Sequence, residues 1–199
     1  HDWSYSMHGN SAIIGDFPQP FVGGYQGRIS PTVVVYDEGF QDIARDSMNK
    51  LEELGVENIR AQAATDLSME DKQRSNLILL GTEDFAFISE LNENYEKFGL
   101  YIYFENGKVK SFSSRGDEKQ YSNCGLIQAT QNPWRPRRPI EIGSCGRTLP
   151  MPMNVVWVIS GTDETQVRSA IDTLINYCEE FRYAYAAIVI DGKVIKVPQ

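Results

Sequence analysis

Carboxylates hold the positions in this chain where an α/β protein most often does its chemistry. Three β-rich runs, residues 32–36 (TVVVY), 76–80 (NLILL) and 155–159 (VVWVI), each lead through an acidic turn into an amphipathic helical pattern. The turns carry Asp37 and Glu38, then Glu83 and Asp84, then Asp163 and Glu164. Of these, Asp37, Glu83, Asp84, Asp163 and Glu164 are candidate ligands for calcium or magnesium, hard ions that bind through oxygen. The same acids at helix starts would accept hydrogen bonds from orphan amides and offset the helix dipole. On either reading, negative charge stands where a cofactor's phosphate would sit, and neither GxGxxG nor GxxxxGK[ST] occurs in the chain.

Other reactive side chains are few. Histidine is confined to His1 and His8, which excludes Ser-His-Asp and Cys-His catalysis elsewhere in the chain. An N-terminal histidine with a second one could chelate copper, although a leader or tag residue accounts for His1 more simply. Arg135, Arg137 and Arg138 form the basic cluster of the chain, interleaved with Trp134 and prolines. They could grip a carboxylate, a phosphate or a sugar face, or pair with the protein's own acids. Cys124 and Cys145 both sit in glycine-flanked turns where two sulfurs could meet as a disulfide in an oxidising compartment. Cys178 falls on the inner face of the last helix pattern, as a small buried hydrophobe.

The elements that must position these residues follow from periodicity. The chain has 199 residues, 41% of them hydrophobic, and a formal charge of −8 from 19 basic and 27 acidic side chains. That length suits one core, and the acidic balance disfavours binding to nucleic acid or anionic lipid. No apolar run approaches the roughly 20 residues of a membrane helix. A start at His1 suggests a processed product or a cloned fragment, with any membrane attachment made through segments outside this chain.

Residues 1–31 read as an extended leader, in which Pro18 and Pro20 stiffen the backbone and present Phe17 and Phe21. Residues 32–199 read as a single α/β domain. Ile43, Ala44, Met48, Leu51 and Leu54 mark a helix over residues 40–54 with Gly55 as its C-cap. A second helix carries Phe85, Ile88, Leu91, Tyr95 and Phe98 on one face, and a third runs over about 163–177. Residues 58–64, 125–130 and 140–142 are further strand candidates. Two Xaa-Gly turns, Asn106-Gly107 and Asp191-Gly192, predict β-hairpins because both positions tolerate positive φ. Strands alternating with helices predict a Rossmann-like or flavodoxin-like, mostly parallel sheet flanked by helices, with the hairpins added at its edges.

The order of these pieces resembles the archaeal S-layer protein domain. The carriers are DFPQPFV at 16–22, NLILLG at 76–81, GLIQ at 125–128 leading to NPW at 132–134, and ISGTDE at 159–164, followed by Ser169-Ala170 and Leu174-Ile175. The likeness runs from Asp16 to the closing Asp191-Gly192 hairpin. NLILLG, NPW and SGTDE are also similar to a module of the extracytoplasmic subunit of bacterial cellulose synthase, and the DFPxPFV opening tips the balance to the S-layer group. The resemblance implies an exported, noncatalytic, cofactor-free α/β domain used for lateral assembly or display at the cell surface. Its partners would be other envelope proteins or further copies of itself, with Phe17, Phe21, Trp134, Arg135, Arg137 and Arg138 as contact residues. The alternative is an extracytoplasmic module binding carbohydrate or a divalent cation such as calcium through the acidic turns. The chain departs from the family at Gly81-Thr82-Glu83-Asp84-Phe85, where a Gly-Gly-Pro turn ending in Asn is usual, and it has no Asn-x-Ser/Thr sequon.

Overall fold

The computed structural model describes residues 14–19, 21–22, 30–112, 116–135, 140–142, 147–149 and 154–198. In chain order the elements are β1 (Thr32–Tyr36), α1 (Gln41–Glu53), β2 (Ile59–Ala63), α2 (Met69–Arg74), β3 (Asn76–Gly81) and α3 (Ala86–Glu93). There follow β4 (Ile102–Glu105), β5 (Lys108–Phe112), β6 (Glu118–Tyr121), β7 (Gly125–Gln131), β8 (Ile140–Ile142) and β9 (Arg147–Leu149). The chain closes with β10 (Val155–Gly161), α4 (Glu164–Asn176), β11 (Ala186–Ile190) and β12 (Lys193–Val197).

A seven-stranded mixed sheet in the order β12-β11-β7-β10-β3-β1-β2 forms the centre. β2, β1, β3 and β10 pair in parallel, whereas β7 runs antiparallel to both β10 and β11, and β12 antiparallel to β11. The expectation of a mostly parallel sheet is therefore corrected: half of the neighbouring pairings are parallel and half antiparallel. The cause lies in the connections. A parallel neighbour needs a crossover, usually helical. β1, α1 and β2 make such a unit, and α4 carries the chain from β10 to β11, two places away and pointing the same way. β7 is entered from the small β4-β5-β6 sheet through a three-residue turn, and it slots between β10 and β11 head to tail with both.

Both faces of the central sheet are buried, as its nearly unbroken apolar strands require. Alternate residues Val34, Ile78, Trp157 and Ile159 face a layer made by Ile43, Ala44 and Leu51 of α1 and Val167, Ala170, Ile171 and Leu174 of α4. Their neighbours Val33, Leu77, Leu79 and Val158 face Phe85, Ile88 and Leu91, with Ile102, Phe104 and Val109 of the small sheet. Helix α1 ends as its glycine predicts. Gly55 takes φ +92°, its N–H donates to Glu52 O, and Val56 N–H reaches Leu51 O, closing the last carbonyls. Both hairpin turns have the expected positive φ, at Asn106 and Gly107 and at Asp191 and Gly192. Helix α2 and strand β6, short and polar, have no apolar period to betray them.

The leader differs most from expectation. Ile14–Asp16 forms a single 3-10 turn, and Gly15 N–H donates to Ala184 O at 3.0 Å. A Cβ on Gly15 would lie 2.7 Å from the Tyr183 amide nitrogen, so the approach needs glycine. Phe17 and Phe21, expected to point outward to a partner, are instead buried against Trp157, with ring centroids 5.8 and 5.2 Å away. The reason is that Trp157 is inward-facing on β10 beside α4, and the two phenylalanines cover the part of its indole that the helices leave open. Replacing a buried aromatic ring by alanine costs about 3–5 kcal/mol. Phe21→Ala is expected to lower the unfolding free energy by that amount in urea denaturation followed by circular dichroism, whereas a free contact arm would leave it unchanged.

Candidate functional site

β1, β3 and β10 are adjacent and parallel, with Tyr36 beside Leu80 and Ser160 beside Gly81, so their three acidic turns share one rim of the sheet. In open α/β sheets this rim is where ligands bind. Here the protein's own packing closes two of the three strand ends, while Gly39 in the turn after β1 has nothing within 4 Å of an added Cβ. A Cβ on Gly161 would stand 2.8 Å from Val167 N and 2.8 Å from Gln166 Cβ, so the first turn of α4 lies directly on the strand end. A Cβ on Gly81 would meet the Phe85 side chain at 2.8 Å. Ser160 Oγ donates to Gly81 O at 2.7 Å, Asp37 N–H to Leu80 O at 3.2 Å, and Thr162 N–H to Cys124 O at 3.1 Å.

The acids themselves divide. Asp163 is the N-cap of α4, its carboxylate accepting from Gln166 N–H at 2.9 Å. Helices α1 and α3 begin at Phe40 and Phe85 with no side-chain cap bond, so Asp37, Glu83 and Asp84 do not cap them. The idea that all three turns are capped by their acids thus holds for α4 and fails for the other two. A second side-chain N-cap forms at the start of α2, where Ser68 Oγ accepts from Asp71 N–H and donates to the Asp71 carboxylate. Among the described residues no three carboxylate, imidazole or thiolate groups come together in a metal-holding group, so Asp37, Glu83, Asp84, Asp163 and Glu164 share a rim without converging on a point.

The proline loop lies at the opposite end of the sheet, because it leaves the far end of the antiparallel β7, where Gln131 pairs with Val155. Asparagines pin it. Asn132 Nδ2 donates to Lys72 O at 2.8 Å, Asn154 Nδ2 donates to Arg74 O at 2.9 Å, and Asn76 Oδ1 accepts from Val155 N–H. Trp134 N–H returns to Asn132 Oδ1. The Trp134 indole N–H donates to Glu90 Oε1 at 2.8 Å, its ring packs on Phe87, and the Lys72 ammonium sits 4.3 Å from the centroids of both rings. Arg135 Nη1 donates to Asn154 Oδ1 at 3.0 Å. Two predicted contact residues, Trp134 and Arg135, therefore serve to hold α2, α3 and β10 together. Arg137 and Arg138 lie outside the described residues, as do His1, His8 and Cys145. Cys124 is a buried free thiol, its pKa pushed up to about 11 by burial.

The outer face of the small sheet carries a group that sequence reasoning missed. Tyr95 stacks on Tyr103 at 4.2 Å between centroids and 9° between planes, with Phe112 5.5 Å from Tyr103. The Tyr103 hydroxyl donates to Glu118, and the Lys110 ammonium bridges Glu118 and Glu105. Burial, then the adjoining Glu118, pushes the Tyr103 hydroxyl well above its usual range, while the hydrogen bonds from Tyr103 and Lys110 hold the Glu118 carboxyl low. The signal was present as alternation, since Tyr103, Lys110, Phe112 and Glu118 occupy outward positions on three paired strands. The cavity between α3 and the two sheets, lined in part by Asn92, Gln128 and Val158, is about 10 Å³, the room of one water.

Capping by Asp163 is worth about 1 kcal/mol, and a surface acid without such a bond less than about 0.5 kcal/mol. Asp163→Ala is expected to lower stability by that first amount and Asp37→Ala and Asp84→Ala to leave it nearly unchanged in urea titrations. Glu118 is held below its unfolded pKa of about 4.3, so its stabilisation is full above that pH and is lost as pH falls through the folded value. Glu118→Gln should be less stable than the parent at pH 7, with the gap closing as melting temperatures are followed from pH 5 to 3. Compared with models of protein families and with curated proteins, the chain finds no match.

Proposed function

We propose that this chain is a non-enzymatic, exported domain of the archaeal S-layer type, whose work is lateral contact with other envelope proteins or further copies of itself at the cell surface. One observation carries the reading: at two of the three strand ends on the rim where an open α/β sheet presents a ligand, packing closes the approach, Gly161 against α4 and Gly81 against Phe85. The parallel half of the sheet, β2-β1-β3-β10, supports kinship with Rossmann-like folds, with the phosphate-cradling turn given over to packing. The polar groups best placed for chemistry are engaged internally: Asp163 as a cap, Trp134 on Glu90, Arg135 on Asn154. What the domain offers outward is an acidic surface, which keeps copies apart at low ionic strength and lets them approach when the charge is screened.

Sedimentation velocity over a wide protein concentration range, at low salt and at about 0.15 M, tests this. Association that grows with concentration and salt is expected, and a strictly monomeric chain throughout would overturn the reading. The same samples with and without calcium at matched ionic strength separate assembly from ion binding. A calcium-specific rise in melting temperature without a change in mass would move the function to cation binding.

A further inference from the structure

We draw no further inference here: the strongest candidate, the aromatic outer face of the small sheet where Tyr95 and Phe112 lie against Tyr103, carries none, because its charged neighbours Glu105, Lys110 and Glu118 are paired with one another and nothing in the structure shows what covers it.

Discussion

Helix α4 lies so close to the central sheet that two strand positions can hold only glycine. A Cβ on Gly125 would come within 2.6 Å of the Gln166 carbonyl and 2.7 Å of the Ala170 Cβ, and one on Gly161 would strike Val167 N. Close approach brings the inner face of α4 onto Trp157 and Ile159 and makes the sheet's interior continuous with the helix layer. The Asp163 cap sets where the helix starts, and Lys50 ties its outer side to α1, reaching Asp172 of α4 and Asp46 of α1 at 2.9 Å each. The same closeness takes up the backbone approach at the end of β10. A glycine after a strand can let a phosphate approach the backbone or let a helix do so, and here the helix has taken the space.

The second principle of construction is the use of carboxamides where the backbone runs out of partners. β4 ends a sheet, yet its outward groups at Ile102 and Phe104 are bonded by Gln128 and Asn92. Gln128 is itself a residue of β7, so the small sheet is stitched to the large one through a side chain rather than a ladder. At the far end Asn76, Asn132 and Asn154 do the same for the strand starts and the proline loop. Buried polar groups cost little when each finds a partner and a great deal when they do not. These amides are therefore constraints on register as much as sources of stability, since a slipped strand would orphan several of them together.

How much of this was legible in the sequence depended on whether the information was local. The hairpin at Asn106-Gly107, the Gly55 cap and the inner faces of α1 and α4 are written in short windows, and the structure keeps them except at Leu54, which caps α1 and is exposed. The direction of β7 is not local. GLIQATQ is buried on both faces, as a parallel strand would be, and only the missing helical crossovers on either side of it reveal that it runs the other way. The leader was misread for a related reason. Phe17 and Phe21 look like a presented pair until Trp157, far along the chain, is known to need a cover. Of the candidate site, the grouping of the three acidic turns on one rim was readable from the repeated strand–turn–helix pattern. That Asp163 caps while Asp37 and Glu83 do not was unreadable, because it turns on small differences in backbone geometry within each turn.

Charge sets the terms on which any encounter with this domain would take place. Many of its basic side chains are spent on internal pairs: Lys50 on Asp46 and Asp172, Lys72 between Glu90 and two aromatic rings, Arg60 on Asp71, Lys110 on Glu105 and Glu118. The acids left over set the net charge of −8 and a repulsion felt over the whole surface. That repulsion is long-ranged and weakens within a Debye length of about 8 Å at physiological salt, whereas hydrogen bonding between strands acts only on contact and is little affected by salt. Any contact would then be favoured where charge has been cancelled locally. An acidic exterior therefore selects for specific contacts over nonspecific ones, since any encounter away from a locally neutral patch meets uncompensated carboxylates.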